Sequence, residues 1–165
     1  PQPLWRASKY RNCAKKYGDF PKAEKHFKEA IRIEPREPSS HFNLASLYGN
    51  LGKFVQAIDE YEQADALYKS TGKYHPPPFY SDKARAHNQA GIQLGQLKKF
   101  DEALIQFEKS VGLNPKSLEA RFNLAKLLLE FKKDRPAATI HLEQALKLNP
   151  IPSQIEVLQN LLKAQ

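Results

Sequence analysis

The sequence predicts an all-α fold, a solenoid of stacked antiparallel helix hairpins with about nine helices. Three observations predict it: a motif of small, aromatic and proline residues recurs along the chain, apolar residues within each recurrence keep a helical period, and prolines close the recurrences at one phase. Ala23, Ala57, Ala103 and Ala138 mark the interval, lying 34, 46 and 35 residues apart in turn. Two intervals match, and the middle one carries an insertion.

In chain order, Tyr17-Gly18-Asp19-Phe20 leads to Ala23, Phe27, Ala30 and Pro35, and Leu51-Gly52-Lys53-Phe54 leads to Ala57, Tyr61 and Ala64. Lys98-Lys99-Phe100 then leads to Ala103, Phe107, Ser110 and Pro115, and a last copy holds Ala138, Leu142, Ala145 and Pro150. Within a copy the apolar side chains fall at i, i+3 or i+4, and i+7, as in Phe100, Ala103, Leu104, Phe107 and Val111, which puts them on one helix face. A second helix precedes each of these, clearest in Phe42-Asn43-Leu44-Ala45 and its near-copy Phe122-Asn123-Leu124-Ala125. Helices are expected to stop at Glu34-Pro35, Asn114-Pro115 and Asn149-Pro150, because proline pushes the preceding residue out of the helical region. Small residues at matching places, Ala45, Gly91 and Ala125, let paired axes approach while large aromatics fill the remaining space.

These residues resemble the tetratricopeptide repeat, a helix-turn-helix unit of roughly 34 residues. The resemblance implies a right-handed superhelical solenoid forming one domain over residues 1–165, with units at 4–37, 38–83, 84–117 and 118–152 and a capping helix at 153–164. It departs from the family pattern at Arg11, in the missing closing proline of the second unit, and in the missing turn glycine of the fourth, where an extra residue lies near Lys132-Lys133-Asp134-Arg135. The insertion at 68–80 ends in Pro76-Pro77-Pro78 and is expected to lengthen a helix, then cross stiffly. It reads as a tolerated loop insertion, with an added contact surface or hinge as the alternative. Ser153-Gln154-Ile155-Glu156 has a capping-box layout ahead of the stripe Ile155, Leu158, Leu161 and Leu162.

The charge is +8, and it is concentrated: residues 1–33 hold nine Lys and Arg against three Asp and Glu. No run is long and apolar enough for a membrane-spanning helix, and no leader layout opens the chain. A chain without Met, even at position 1, is expected to be a segment or processed product of a longer protein, and its compartment is left open, with cytoplasm favoured. Oligomeric state is not legible.

No chemistry-bearing motif emerges. The histidines, His26, His41, His75, His87 and His141, have no metal-ligand spacing with one another or with the lone Cys13. Neighbouring carboxylates such as Asp59-Glu60 diverge on a helix, and no phosphate loop is present. The chain is expected to be no enzyme and to need no cofactor or metal.

By the resemblance, first helices line a concave groove. The expected groove residues are Ser8, Lys9, Asn12, Asn43, Ser46, Asn50, Arg85, Asn88, Gln89, Gln96, Asn123 and Lys126. Carboxamides both donate and accept, so a ladder of them can hold the backbone of an extended peptide, while Lys9, Arg85 and Lys126 would favour acidic segments. Asn43 and Asn123 also fit the family's ordinary first-helix pattern. Of the two-carboxylate clamp by which some family members hold chaperone C-termini, Asn12 and Asn43 match and Arg85 is a substitute for lysine, whereas Ser8 and Gln89 do not match. The function expected is a protein-protein interaction scaffold for an extended or acidic peptide. The alternatives are a nucleic-acid-binding repeat using the basic first unit, and a regulatory or assembly module of a larger enzyme or membrane protein.

Overall fold

The computed structural model describes residues 19–148 and 150–163. Among the described residues there are eight α-helices and no strand: α1 (Phe20–Ile33), α2 (Pro38–Asn50), α3 (Phe54–Thr71), α4 (Phe79–Gln96), α5 (Phe100–Leu113), α6 (Leu118–Leu127), α7 (Arg135–Leu146) and α8 (Pro152–Lys163). The expected opening helix, with Ser8, Lys9, Asn12 and Cys13, lies outside the described residues. The fold is the all-α helix-hairpin solenoid that the repeat predicts. Two compact units are distinguished, one ending at Ala86 and one beginning at His87, so the division falls within α4.

In the first unit α1 packs on α2 and α2 on α3. Asp19 caps α1 by accepting from the Lys22 amide, and Glu37 caps α2 by accepting from that of Ser39. Helix α1 ends where Glu34, ahead of Pro35, leaves the helical region at φ −127°. The motif alanines Ala23 and Ala57 are buried with Phe27, Phe42, Tyr61 and Phe79, and the Phe42, Tyr61 and Phe79 rings meet at centroid distances of 5.7 to 6.1 Å.

The insertion is anchored rather than loose. It extends α3 to Thr71, where Gly72 stops it in the left-handed conformation, and α3 and α4 each reach 18 residues against 14 for α1 and α5. His75 lies among the Tyr68, Phe79 and Tyr80 rings at 4.7 to 4.9 Å, and its Nε2 is 2.8 Å from Asp65. Asp65 also accepts from Lys69 at 3.0 Å and from the buried Lys83 at 3.4 Å, while Lys83 reaches Glu62 at 3.0 Å. Lys73 closes onto Glu37 of α2's cap. Tyr74, at the tip, is 97% exposed.

In the second unit α5 packs on α6, α6 on α7 and α7 on α8. Asn114, ahead of Pro115, ends α5 at φ −135°. Ser117 and Asp134 cap α6 and α7 by accepting from Ala120 and Ala137 amides. The extra residue of the fourth copy is absorbed as a π-helical turn, Leu128–Lys132, closed by a hydrogen bond from the Asp134 amide to the Leu128 carbonyl and by Lys133 at φ +57°. Helix α8 begins at Pro152, two residues earlier than the capping-box layout implies. Gln154, not Glu156, reaches back, accepting from the Ile151 amide at 3.0 Å, because Pro152 occupies the first helical position. Its Leu158 is buried, with Leu161 and Leu162 packed partly against the same core.

Candidate functional site

The polar positions of the first helices separate into distinct environments. On α2, Asn43 is 7% exposed and makes no side-chain hydrogen bond among the described residues. Ser46 lies 3.3 Å from the Tyr61 hydroxyl, whose pKa burial pushes up to about 12, so Tyr61 stays a neutral partner. Asn50 is exposed at the end of α2.

In the second unit three of the expected residues meet. Asn123 on α6 donates from Nδ2 to Asn88 Oδ1 on α4 at 3.0 Å, and Asn88 Nδ2 donates in turn to Glu119 Oε1 on α6 at 2.9 Å. Gln89 Nε2 approaches the same Glu119 oxygen at 3.4 Å. Asn88 is buried and uses both ends of its amide inside this chain, which fixes its orientation. Gln96 is exposed on the last turn of α4 and takes no part.

Glu119 was not among the residues expected from sequence. It sits in the first turn of α6, where a carboxylate suits the helix N-terminus, and that role gave no reason to look further. The repeat register places it 34 residues after Arg85.

The cations expected to attract acidic segments already have partners. Arg85 reaches Asp82 at 3.1 Å on the same helix, and Lys126 lies 3.9 Å from Glu130. Three of the four cations in the described part of the basic end are similarly self-paired, Lys22 on Asp19, Lys28 on Glu24 and Arg32 on Glu29, while Lys25 is exposed and makes no ion pair among the described residues. Arg6, Lys9, Arg11, Lys15 and Lys16 fall outside the described residues.

A separate set of contacts ties first helices to second helices. His41 Nδ1 is 2.7 Å from Glu60, His87 Nδ1 is 2.7 Å from Gln106, and Arg121 bonds Gln144 and the Pro115 carbonyl. His41, His87 and Arg121 occupy one repeat position, so these contacts hold the hairpins together. Among the described residues no group of His, Cys, Asp and Glu could hold a metal ion, and no helix is long and apolar enough to cross a membrane.

Comparison with known proteins agrees with this architecture. A family model described as YpiA-like tetratricopeptide repeats matches residues 20–71, and one described as tetratricopeptide repeat matches residues 84–117. The Hsp70-Hsp90 organising protein of Plasmodium falciparum is 26% identical over 92 residues, covering 56% of this chain and 15% of that protein. The human protein O-mannosyl-transferase TMTC3 is 24% identical over 134 residues, covering 79% of this chain and 14% of its own length. The chain thus spans about a seventh of the length of each. The crystal structure of MamA superposes with a TM-score of 0.62 at 15% identity, over 93% of this chain and 83% of that one.

Proposed function

The chain belongs to the tetratricopeptide repeat family, a protein-interaction scaffold in its architecture, and from that premise we propose that its first helices hold an extended peptide by its backbone. The observation that carries the reading is the meeting of amides from successive first helices, Asn123 with Asn88 at 3.0 Å and Gln89 beside them, with Asn43 at the position equivalent to Asn123. A peptide backbone offers one donor and one acceptor per residue, which is the pattern that fixed carboxamides match. Asn43, near-buried and without a side-chain hydrogen bond among the described residues, is suited to receive such a backbone group in the first unit.

The pairing of Arg85 and Lys126 with neighbouring carboxylates weakens an acidic requirement, because a peptide carboxylate would have to compete with Asp82 and Glu130. Self-pairing of Lys22, Lys28 and Arg32 on α1, which leaves Lys25 alone without an ion pair among the described residues of that helix, likewise works against nucleic-acid binding by it.

The test is selection from a random dodecapeptide display library with the parent and with an Asn43→Ala/Asn123→Ala variant of matched helicity. Peptides enriched by the parent and lost by the variant support the reading. Peptides enriched equally by both would move the binding surface away from these helices, and nuclease-sensitive capture of polyanions would transfer the function to nucleic acid.

A further inference from the structure

We infer that the second unit selects a cationic side chain, Lys or Arg, on the bound peptide, with Glu119 as its acceptor. The inference rests on the peptide-binding reading above and narrows it, reversing the charge preference that the sequence suggests.

Glu119 is an exposed carboxylate held in place from one side. Both amide contacts, from Asn88 at 2.9 Å and Gln89 at 3.4 Å, go to Oε1, which leaves Oε2 available. No Lys or Arg lies within ion-pair distance of it among the described residues, whereas Arg85 and Lys126 each have a carboxylate at hand. The supports are themselves fixed: Asn88 is 3% exposed and is locked by Asn123 at its other end. A carboxylate whose side chain is already ordered by neutral donors loses little further freedom on accepting a charged one, and it retains its full negative charge to offer. Glu119 thus sits on the same polar face as the amides that would hold the backbone, placed to read a side chain beside it.

The opposing contribution is solvent. Exposed ion pairs contribute little, so discrimination between Lys and Gln at the peptide position is expected to be about threefold and to fall at high salt.

The experiment is the same dodecapeptide selection, followed by affinity measurement of the most enriched peptide and of its Lys→Gln form. The expected result is Lys or Arg at one fixed position with the parent, about threefold weaker binding of the Lys→Gln peptide, and no such difference with the Glu119→Gln variant, which keeps the acceptor for Asn88 but not the charge. Enriched peptides without a basic position, or a Lys preference that persists in Glu119→Gln, would overturn the charge assignment while leaving peptide binding intact. No enrichment by the parent would overturn the peptide reading and this one with it. The comparison of the two peptides on the parent needs no variant, so a poorly folded Glu119→Gln leaves the assignment open to refutation.

Discussion

The Phe107 ring of α5 lies against the backbone of Gly91 on α4, so close that a Cβ on Gly91 would stand 2.7 Å from it. Glycine there sets the distance between two helices. Gly91 and Gly95 are spaced as Gly-x-x-x-Gly, but a Cβ on Gly95 would meet nothing within 4 Å, so close packing uses this spacing at one end only.

Gly91→Ala is therefore expected to destabilise the second unit by about 1–3 kcal/mol, the usual cost of forcing a methyl into a packed site. Denaturant unfolding measures it. Phe107→Leu in the same chain should recover part of the loss, and strict additivity of the two substitutions would show that the ring contact is not the cause.

Lys98 occupies, at φ +60°, the turn position that Gly52 fills at φ +71°, and Lys133 holds a similar conformation at φ +57°. A side chain in the left-handed region is unfavourable, although glycine gives back some of the difference through a freer unfolded chain. Lys98→Gly and Lys133→Gly are each expected to stabilise by about 0.5–1 kcal/mol, and Gly52→Ala to destabilise by about 1 kcal/mol. A lower unfolding midpoint for both lysine replacements would contradict this.

Burial by itself would raise the Asp65 pKa, but hydrogen bonds from Lys69 and His75 and the charge of Lys83 outweigh it and hold the carboxyl below the ordinary value of 3.8. As pH falls the unfolded chain takes up this proton first. The stability due to Asp65 is thus complete above the unfolded pKa and is lost as pH drops through 3.8 toward the lower folded value. Asp65→Asn should flatten the acid limb of a stability profile below about pH 5. Asp65→Ala should cost about 2 kcal/mol near neutrality, because the buried Lys83 would keep only Glu62.

His141 shifts the opposite way from a salt-bridged histidine. Burial and then the nearby Arg121 charge push its pKa below 6.5, against a smaller opposing effect of Glu108. Its contribution to stability is full above the unfolded pKa and is lost as pH falls through 6.5 toward the folded value. An NMR titration should give a midpoint below 6.5, and His141→Gln should remove this part of the pH dependence. A midpoint above 6.5 would show that burial and the Arg121 charge do not outweigh Glu108 at this ring.

The sequence by itself determined the repeat, the helix stops at Glu34 and Asn114 and the small-against-large packing, whereas α7 ends at Leu146, ahead of the stop expected at Asn149-Pro150, where Asn149 lies outside the described residues. All three depend on residues near one another in the chain: proline acts on the residue before it, apolar periodicity is read within a helix, and Ala23, Ala57, Ala103 and Ala138 fall at one phase of the motif. Asn43, Asn88, Gln89 and Asn123 were legible as first-helix polar positions for the same reason.

Tertiary structure alone decided how those amides are used. Asn88 meets Glu119 and Asn123 across 31 and 35 residues, and such pairings depend on the register of one helix against another, which no local pattern encodes. The insertion followed the same logic: Pro76-Pro77-Pro78 announced a stiff crossing, but only the packed helices could bring His75 to Asp65 and Lys73 to Glu37. Side chains that are hydrophilic in sequence become specific when packing fixes which neighbour each one meets.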